Sequence, residues 1–351
     1  MKSRRLFGQF ALLSVLYALS SAPSVSLPFS ALQQAEKPDW CKPLPRPEFK
    51  ALEHVKVSDP WFEVYKVAPS TFAIYEPHQS EEVISYLILG SQKAILFDTG
   101  MGISDVHKLA TELIMNRGAK DGAANSPLQV GHAGPSKLGA SANPPLQIIV
   151  LNSHTHDDHV GGNWQFDTIY SMDTDFSRQN AKGSVEDAQA EIAPGEICGE
   201  LPKGFESKSY RTKPWHITKY IHDGDTIDLG GRTIEILSTP GHTPDAITLF
   251  DRANGLLFTG DTYYPAPIWL FRPETDMDAY AKSIARLAAL APKVKVVLGA
   301  HNVPVAPPSI LPGLVSSFAD FRAGKASCKA QGSGKQLCTA GQFQFLVRAN
   351  E

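Results

Sequence analysis

Apolar residues fall in short blocks punctuated by glycine along most of the chain, a strand-rich signature. Ile84–Leu89 and Ala94–Phe97 flank Gly90-Ser91-Gln92 and predict a hairpin that ends at Asp98-Thr99-Gly100. The period then changes. Val106, Leu109 and Leu113 share one helical face, with Ser104 as the N-cap and Gly118 as the stop. Leu146–Leu151 predicts a buried strand, and a second half repeats the theme. Thr226–Leu229 and Thr233–Leu237 flank Gly230-Gly231, while Ala246–Phe250 and Leu256–Phe258 flank Asn254-Gly255. A helix carries Met277, Tyr280, Ile284 and Leu287 on one face up to Pro292, Val294–Leu298 is another short strand, and Leu314, Phe318 and Phe321 mark a last amphipathic helix. Strands punctuated by helices, twice over, predict an α+β protein of two packed sheets with helices outside.

Three segments stand apart from this pattern. Residues 1–26 join Lys2, Arg4 and Arg5 to an apolar run from Leu6 to Leu19 and the small residues Ser20, Ser21 and Ala22, the three-part form of a secretory signal peptide cleaved near Ser21–Ser26. The expected protein is therefore exported, periplasmic or secreted, and not stably associated with a membrane, since no later run is long and apolar enough to span one. Residues 27–61 read as an N-terminal extension and 62–322 as a single domain. Within it, 118–145 is a Gly/Ala/Ser/Pro-rich surface insertion without periodicity. Residues 323–351 read as a Gly/Ser/Lys-rich tail.

Composition narrows the partners. Lys and Arg number 33 against 36 Asp and Glu, a net charge of -3, so no broad attraction to a phosphate backbone exists and nucleic acid is excluded as a partner. A small-molecule substrate is expected instead. Export makes the four cysteines disulfide candidates. Cys328 and Cys338, ten apart, form the simplest local bridge, which leaves Cys41 with Cys198. None has C-x-x-C spacing, which disfavours zinc ribbons and thioredoxin-type chemistry.

The candidate chemistry lies directly after the strand at 146–151, where His154-Thr155-His156-Asp157-Asp158-His159 places three imidazoles and carboxylates on one loop. On an extended loop His154 and His156 project to one side and can chelate one metal, while Asp158 and His159 can face a second. Three further strand ends each supply one ligand type: Thr239-Pro240-Gly241-His242, Thr259-Gly260-Asp261-Thr262 and Gly299-Ala300-His301. The six other histidines lack ligand-like spacing.

The H-x-H-x-D-H pattern of His154, His156, Asp158 and His159, followed in order by His242, Asp261 and His301, resembles the metallo-β-lactamase superfamily. The resemblance covers roughly residues 62–322 and implies the αββα sandwich with metals at one edge. It also implies that His154, His156 and His242 hold a first metal, Asp158, His159 and His301 a second, with Asp261 bridging and Asp98 supporting a ligand from behind. With a histidine at 156, where di-iron redox relatives carry a carboxylate, the resemblance implies two Zn²⁺; manganese or a mixed iron–zinc pair is the alternative.

The implied function is a dinuclear zinc hydrolase that opens a cyclic amide or ester with a metal-bridging hydroxide, Asp158 shuttling its proton. Asp261 points away from specialised zinc β-lactamases and toward the glyoxalase II, lactonase and general hydrolase branches. Tyr264 stands at the offset where acyl-homoserine-lactone lactonases carry a tyrosine that contacts the substrate carbonyl. The alternatives are a β-lactamase acting on antibiotics, a glyoxalase II-type thioester hydrolase, and a non-catalytic periplasmic metal-binding protein.

Overall fold

The computed structural model describes residues 38–116, 146–184 and 186–349. The predicted signal peptide, the helix stop at Gly118 and the 118–145 insertion lie outside them. Among the described residues no helix is long and apolar enough to cross a membrane.

The first sheet runs in chain order through β1 (Glu53–Val55), β2 (Glu63–Ala68), β3 (Thr71–Tyr75), β4 (Ile84–Leu89), β5 (Lys93–Phe97), β6 (Gln147–Leu151), β7 (Ile169–Met172) and β8 (Lys219–Ile221). Pairing is antiparallel up to β5 and parallel from β5 to β8. The second sheet contains β9 (Thr226–Asp228), β10 (Thr233–Ser238), β11 (Ile247–Asp251) and β12 (Leu256–Gly260). The third sheet begins with β13 (Ile268–Leu270), and β14 (Val296–Gly299) pairs in parallel with β12 to complete the second.

Alternation along β4 shows how the layers form. Ile84, Tyr86 and Ile88 point between the two sheets, where they meet Ile234, Ile236, Leu249 and Phe258. Leu87 and Leu89 point outward to α1 (Val106–Asn116), whose Val106, Leu109 and Leu113 cover that face. Short helices α2 (Asp157–Val160), α3 (Asp175–Asn180) and α4 (Glu186–Glu191) follow β6 and precede β8. On the far side α5 (Met277–Leu290) and α6 (Ile310–Arg322) pack Tyr280, Ile284, Leu287, Leu314 and Phe318 against Leu237, Phe250 and Leu257. This is an αββα sandwich.

Two sequence readings change. The cap of α1 is Asp105, whose Oδ1 accepts the Lys108 N–H at 2.8 Å, while Ser104 Oγ donates to Asp59 at 2.6 Å. The 323–351 segment is more than a tail: β15 (Ser327–Gly332), β16 (Lys335–Ala340) and β17 (Phe343–Arg348) form the third sheet with β13, and Phe345 and Val347 bury against α6. Likewise β1, within the 27–61 extension, pairs with β2. Both cysteine pairs are bonded as expected, Cys41 to Cys198 and Cys328 to Cys338.

The two predicted hairpins meet at one end of the sandwich. The Gln92 and Lys93 N–H groups donate to the Leu229 carbonyl, and a Cβ on Gly90 would lie 2.2 Å from that oxygen, so only glycine fits. Arg232 fastens the same region: its guanidinium donates to Asp251, to the Ser70 and Leu89 carbonyls and to Thr71.

Candidate metal centre

β5 and β6 are parallel neighbours, as are β12 and β14, so the loops leaving them emerge together at one edge. They deliver Asp98 after β5, His154 to His159 after β6, Asp261 after β12 and His301 after β14; His242 follows β10. The sheets are stitched there by the Ile84 N–H donating to the Ala300 carbonyl at 2.7 Å and by Tyr86 Oη donating to the Gly299 carbonyl.

The structure brings all seven expected ligand residues together. His154 Nε2, His156 Nδ1 and His242 Nε2 form one trio, with separations of 2.9, 3.1 and 3.2 Å. In a second, Asp158 Oδ2 lies 3.0 Å from His159 Nε2 and 3.5 Å from His301 Nε2. Asp261 spans both: its Oδ2 is 3.6 Å from His242 Nε2 and its Oδ1 is 3.1 Å from His301 Nε2.

Each imidazole is held from behind through its other nitrogen, which sets which one faces the cluster. His242 Nδ1 donates to the Trp269 carbonyl at 2.8 Å and His301 Nδ1 to the Glu81 carbonyl at 2.6 Å. His156 Nε2 pairs with Glu274 Oε1 at 2.7 Å, and His154 Nδ1 meets Ser153 Oγ at 3.1 Å. Asp98 stands behind His159. Its Oδ2 lies 3.0 Å from His159 Nδ1, and its Oδ1 accepts the Ser153 N–H at 2.6 Å. Its φ of 68° is a left-handed conformation that aspartate tolerates better than most residues.

Electrostatics match a cation site. Burial, then neighbouring imidazoles, push His154 well below the ordinary histidine range, and burial takes His242 down to about 4, so both offer lone pairs at neutral pH. Burial works against charge on His301 and Asp261 alike. Asp261 nevertheless raises His301 to about 9, and His301 and His159 hold Asp261 at about 2. His159 Nε2 and Asp261 Oδ1 are buried without a hydrogen-bond partner, touching only other members of the cluster. Five imidazole nitrogens and two carboxylates, aimed inward in two groups, are a donor set that suits borderline divalent ions.

Tyr264 lies next to the cluster. Its ring lies 4.9 Å from His301, but its hydroxyl donates to the Pro267 carbonyl at 3.0 Å and accepts the Trp269 N–H at 3.1 Å. The ring thus stands beside the site while the hydroxyl bonds within its own loop.

Other supporting residues escape a reading of sequence. Buried Asp245 accepts from Thr155 Oγ1 at 2.6 Å and Thr243 Oγ1 at 2.7 Å, tying the histidine-rich loop to the His242 loop. Glu274 sits in Pro273-Glu274-Thr275, which reads as an ordinary polar turn, and a backbone acceptor such as that of Trp269 has no sequence signature.

A four-layered sandwich with histidine and aspartate ligands converging at one sheet edge defines a metallohydrolase architecture. The chain belongs to the Metallo-beta-lactamase superfamily, whose family profile it matches over residues 82–301, and it is a hydrolase of that superfamily. Among curated proteins it is similar to the acyl-coenzyme A thioesterase MBLAC2 of Bos taurus, 26% identical over 220 residues, covering 62% of this chain and 71% of that protein. It is also similar to the hydroxyacylglutathione hydrolase of Pseudomonas putida, 28% identical over 175 residues, covering 49% of this chain and 54% of the relative. Among solved structures, the sec-alkylsulfatase Pisa1 from Pseudomonas sp. superposes with a TM-score of 0.51 at 17% identity, over 74% of this chain and 41% of that one, which shows the shared fold.

Proposed function

We propose that the protein is an exported dinuclear zinc hydrolase of compact acyl thioesters or esters. The observation that carries this reading is Asp261, one carboxylate whose two oxygens reach toward both ligand groups. His154, His156 and His242 would hold one ion, Asp158, His159 and His301 the other, and Asp261 would join them. Zinc is favoured over manganese or an iron–zinc pair by the number of imidazoles. Two such ions would supply hydroxide near neutral pH and polarise a carbonyl. Asp158, which lines the small space above the cluster, would take the proton of the attacking water, while Glu274, Asp98 and the Trp269 and Glu81 carbonyls would keep the imidazoles from turning.

The names of the relatives, a thioesterase and a hydroxyacylglutathione hydrolase, move the leading substrate class from a cyclic amide or ester to a thioester. Ring opening of a lactone or lactam, β-lactam antibiotics included, uses the same ligands and is the second reading. It is favoured by the size of the cavity beside His156, about 300 Å³, which suits a compact molecule. Two disulfides support export to an oxidising compartment.

The test is hydrolysis by zinc-reconstituted protein of a small thioester, an aryl ester, an acyl-homoserine lactone and a chromogenic cephalosporin, with chelator-treated protein as control. Metal-dependent turnover led by the thioester is expected. Turnover of none, with two ions bound, would replace this reading with that of a non-catalytic metal-binding protein.

A further inference from the structure

Two spaces meet at His156. The smaller, about 20 Å³, lies over the ligand cluster and has room for little more than a water; the larger, about 300 Å³, opens beside it between Phe176, Asn180, Thr212 and Pro273. A scissile group placed over the cluster therefore sends its remainder into the larger cavity. Arg272 lines both spaces and is the only lysine or arginine lining either among the described residues.

Its backbone is fixed: the Arg272 carbonyl accepts the Thr275 N–H at 3.1 Å and Arg348 Nη2 at 3.2 Å. Its guanidinium lies over the Phe271 ring, 5.7 Å from the ring centroid. Among the described residues it makes no hydrogen bond or ion pair, although Glu274 is near enough for its carboxylate to feel the positive charge, and that carboxylate is already bonded to His156. A half-buried guanidinium with all its donors unspent, at the junction of a reaction site and a substrate-sized cavity, is a receptor for a planar anion.

We propose that Arg272 is a specificity-determining residue that selects substrates bearing one carboxylate close to the scissile carbonyl. The inference rests on the hydrolase reading above and deepens it. The charge context limits the anion to one. Asp157 and Glu274 line the larger space beside Arg272, so a polyphosphorylated carrier such as coenzyme A meets two carboxylates for a single guanidinium.

The test compares zinc-loaded wild-type, Arg272→Gln and Arg272→Lys proteins on matched thioesters, 3-(acetylthio)propionate and S-methyl monothiosuccinate, each beside its neutral carboxamide counterpart. Expected is a preference of wild type for at least one acid over its amide, on the order of tenfold or more in kcat/KM and carried mainly by KM. Arg272→Gln should bring acid and amide to the same kcat/KM, and Arg272→Lys should restore part of the preference. Equal turnover of acid and amide by wild type, or a preference that survives Arg272→Gln, overturns the proposal. Calorimetry of succinate and succinamide binding to chelator-treated wild type and Arg272→Gln separates the two readings. If no thioester is cleaved, the hydrolase reading fails, yet binding of succinate that is tighter than that of succinamide and lost in Arg272→Gln still upholds Arg272. Indifference to both overturns it.

Discussion

His242 takes its orientation from Trp269: the imidazole Nδ1 donates to the Trp269 carbonyl at 2.8 Å, and Trp269 lies in β13, whose strand partner is β17 of the C-terminal sheet. A ligand on the second sheet is thus aimed by the third. Phe345, fully buried on β17 and in register with Ile268 of β13, packs between Phe318 and Phe321 at centroid distances of 5.4 and 5.5 Å.

Phe345→Ala is expected to cost about 3–5 kcal/mol by opening a cavity in this layer. It should also speed loss of metal to a chelator from molecules that remain folded. Denaturant titration and timed metal release check both, and a stability loss with unchanged release would separate β17 from the aim of His242.

Glu274→Ala removes the acceptor behind His156 and is expected to lower metal affinity roughly 10–100-fold, with Glu274→Gln less severe because an amide oxygen can still accept. Competition with a chromophoric chelator measures it. Equal affinity in all three proteins would show that His156 needs no such support.

Asp98→Ala strips acceptors from the buried Ser153 N–H and from His159, at about 1–3 kcal/mol for the unsatisfied donor. Asp98→Asn keeps one acceptor and tolerates the left-handed backbone. The expected order of stability and of metal content is wild type, then Asn, then Ala, read by thermal denaturation and elemental analysis.

The charge on His301 gives a pH dependence with a definite sign. Against the opposing effect of burial, Asp261 raises it from 6.5 to about 9, so it stabilises the metal-free protein fully below pH 6.5 and loses that contribution as pH rises through about 9. A bound cation displaces the same proton. The gap in Tm between metal-loaded and chelator-treated protein should therefore widen across that window; a constant gap would contradict it.

Away from the site, Arg232→Ala leaves Asp251 buried without its partner and is expected to cost about 3–5 kcal/mol, measured by denaturant unfolding.

What could be read from sequence followed how local each signal is. β4, β5, β6 and β10 to β12 are apolar runs closed by turn residues, so their positions are visible along the chain. β13 is apolar but only three residues long and finds its partner far along the chain, at Phe345 to Val347, and β15 is exposed along its length, so neither declares itself as a strand. The site divides in the same way. Histidines and aspartates at strand ends announce a metal, whereas Glu274 looks like surface and the Trp269 carbonyl belongs to every residue alike. Tyr264 is suggestive by residue type and position, and only the fold shows that its hydroxyl bonds within its own loop.

Each ligand group draws on both sheets. His154 and His156 come from the loop after β6 and His242 from the loop after β10; Asp158 and His159 share the first of these loops, and His301 follows β14. A bound ion would then act as a rivet through the open edge of the sandwich. Stripping it should let the two sheets breathe at that edge while the Arg232 end stays shut, giving the molecule one hinged side and one sealed side.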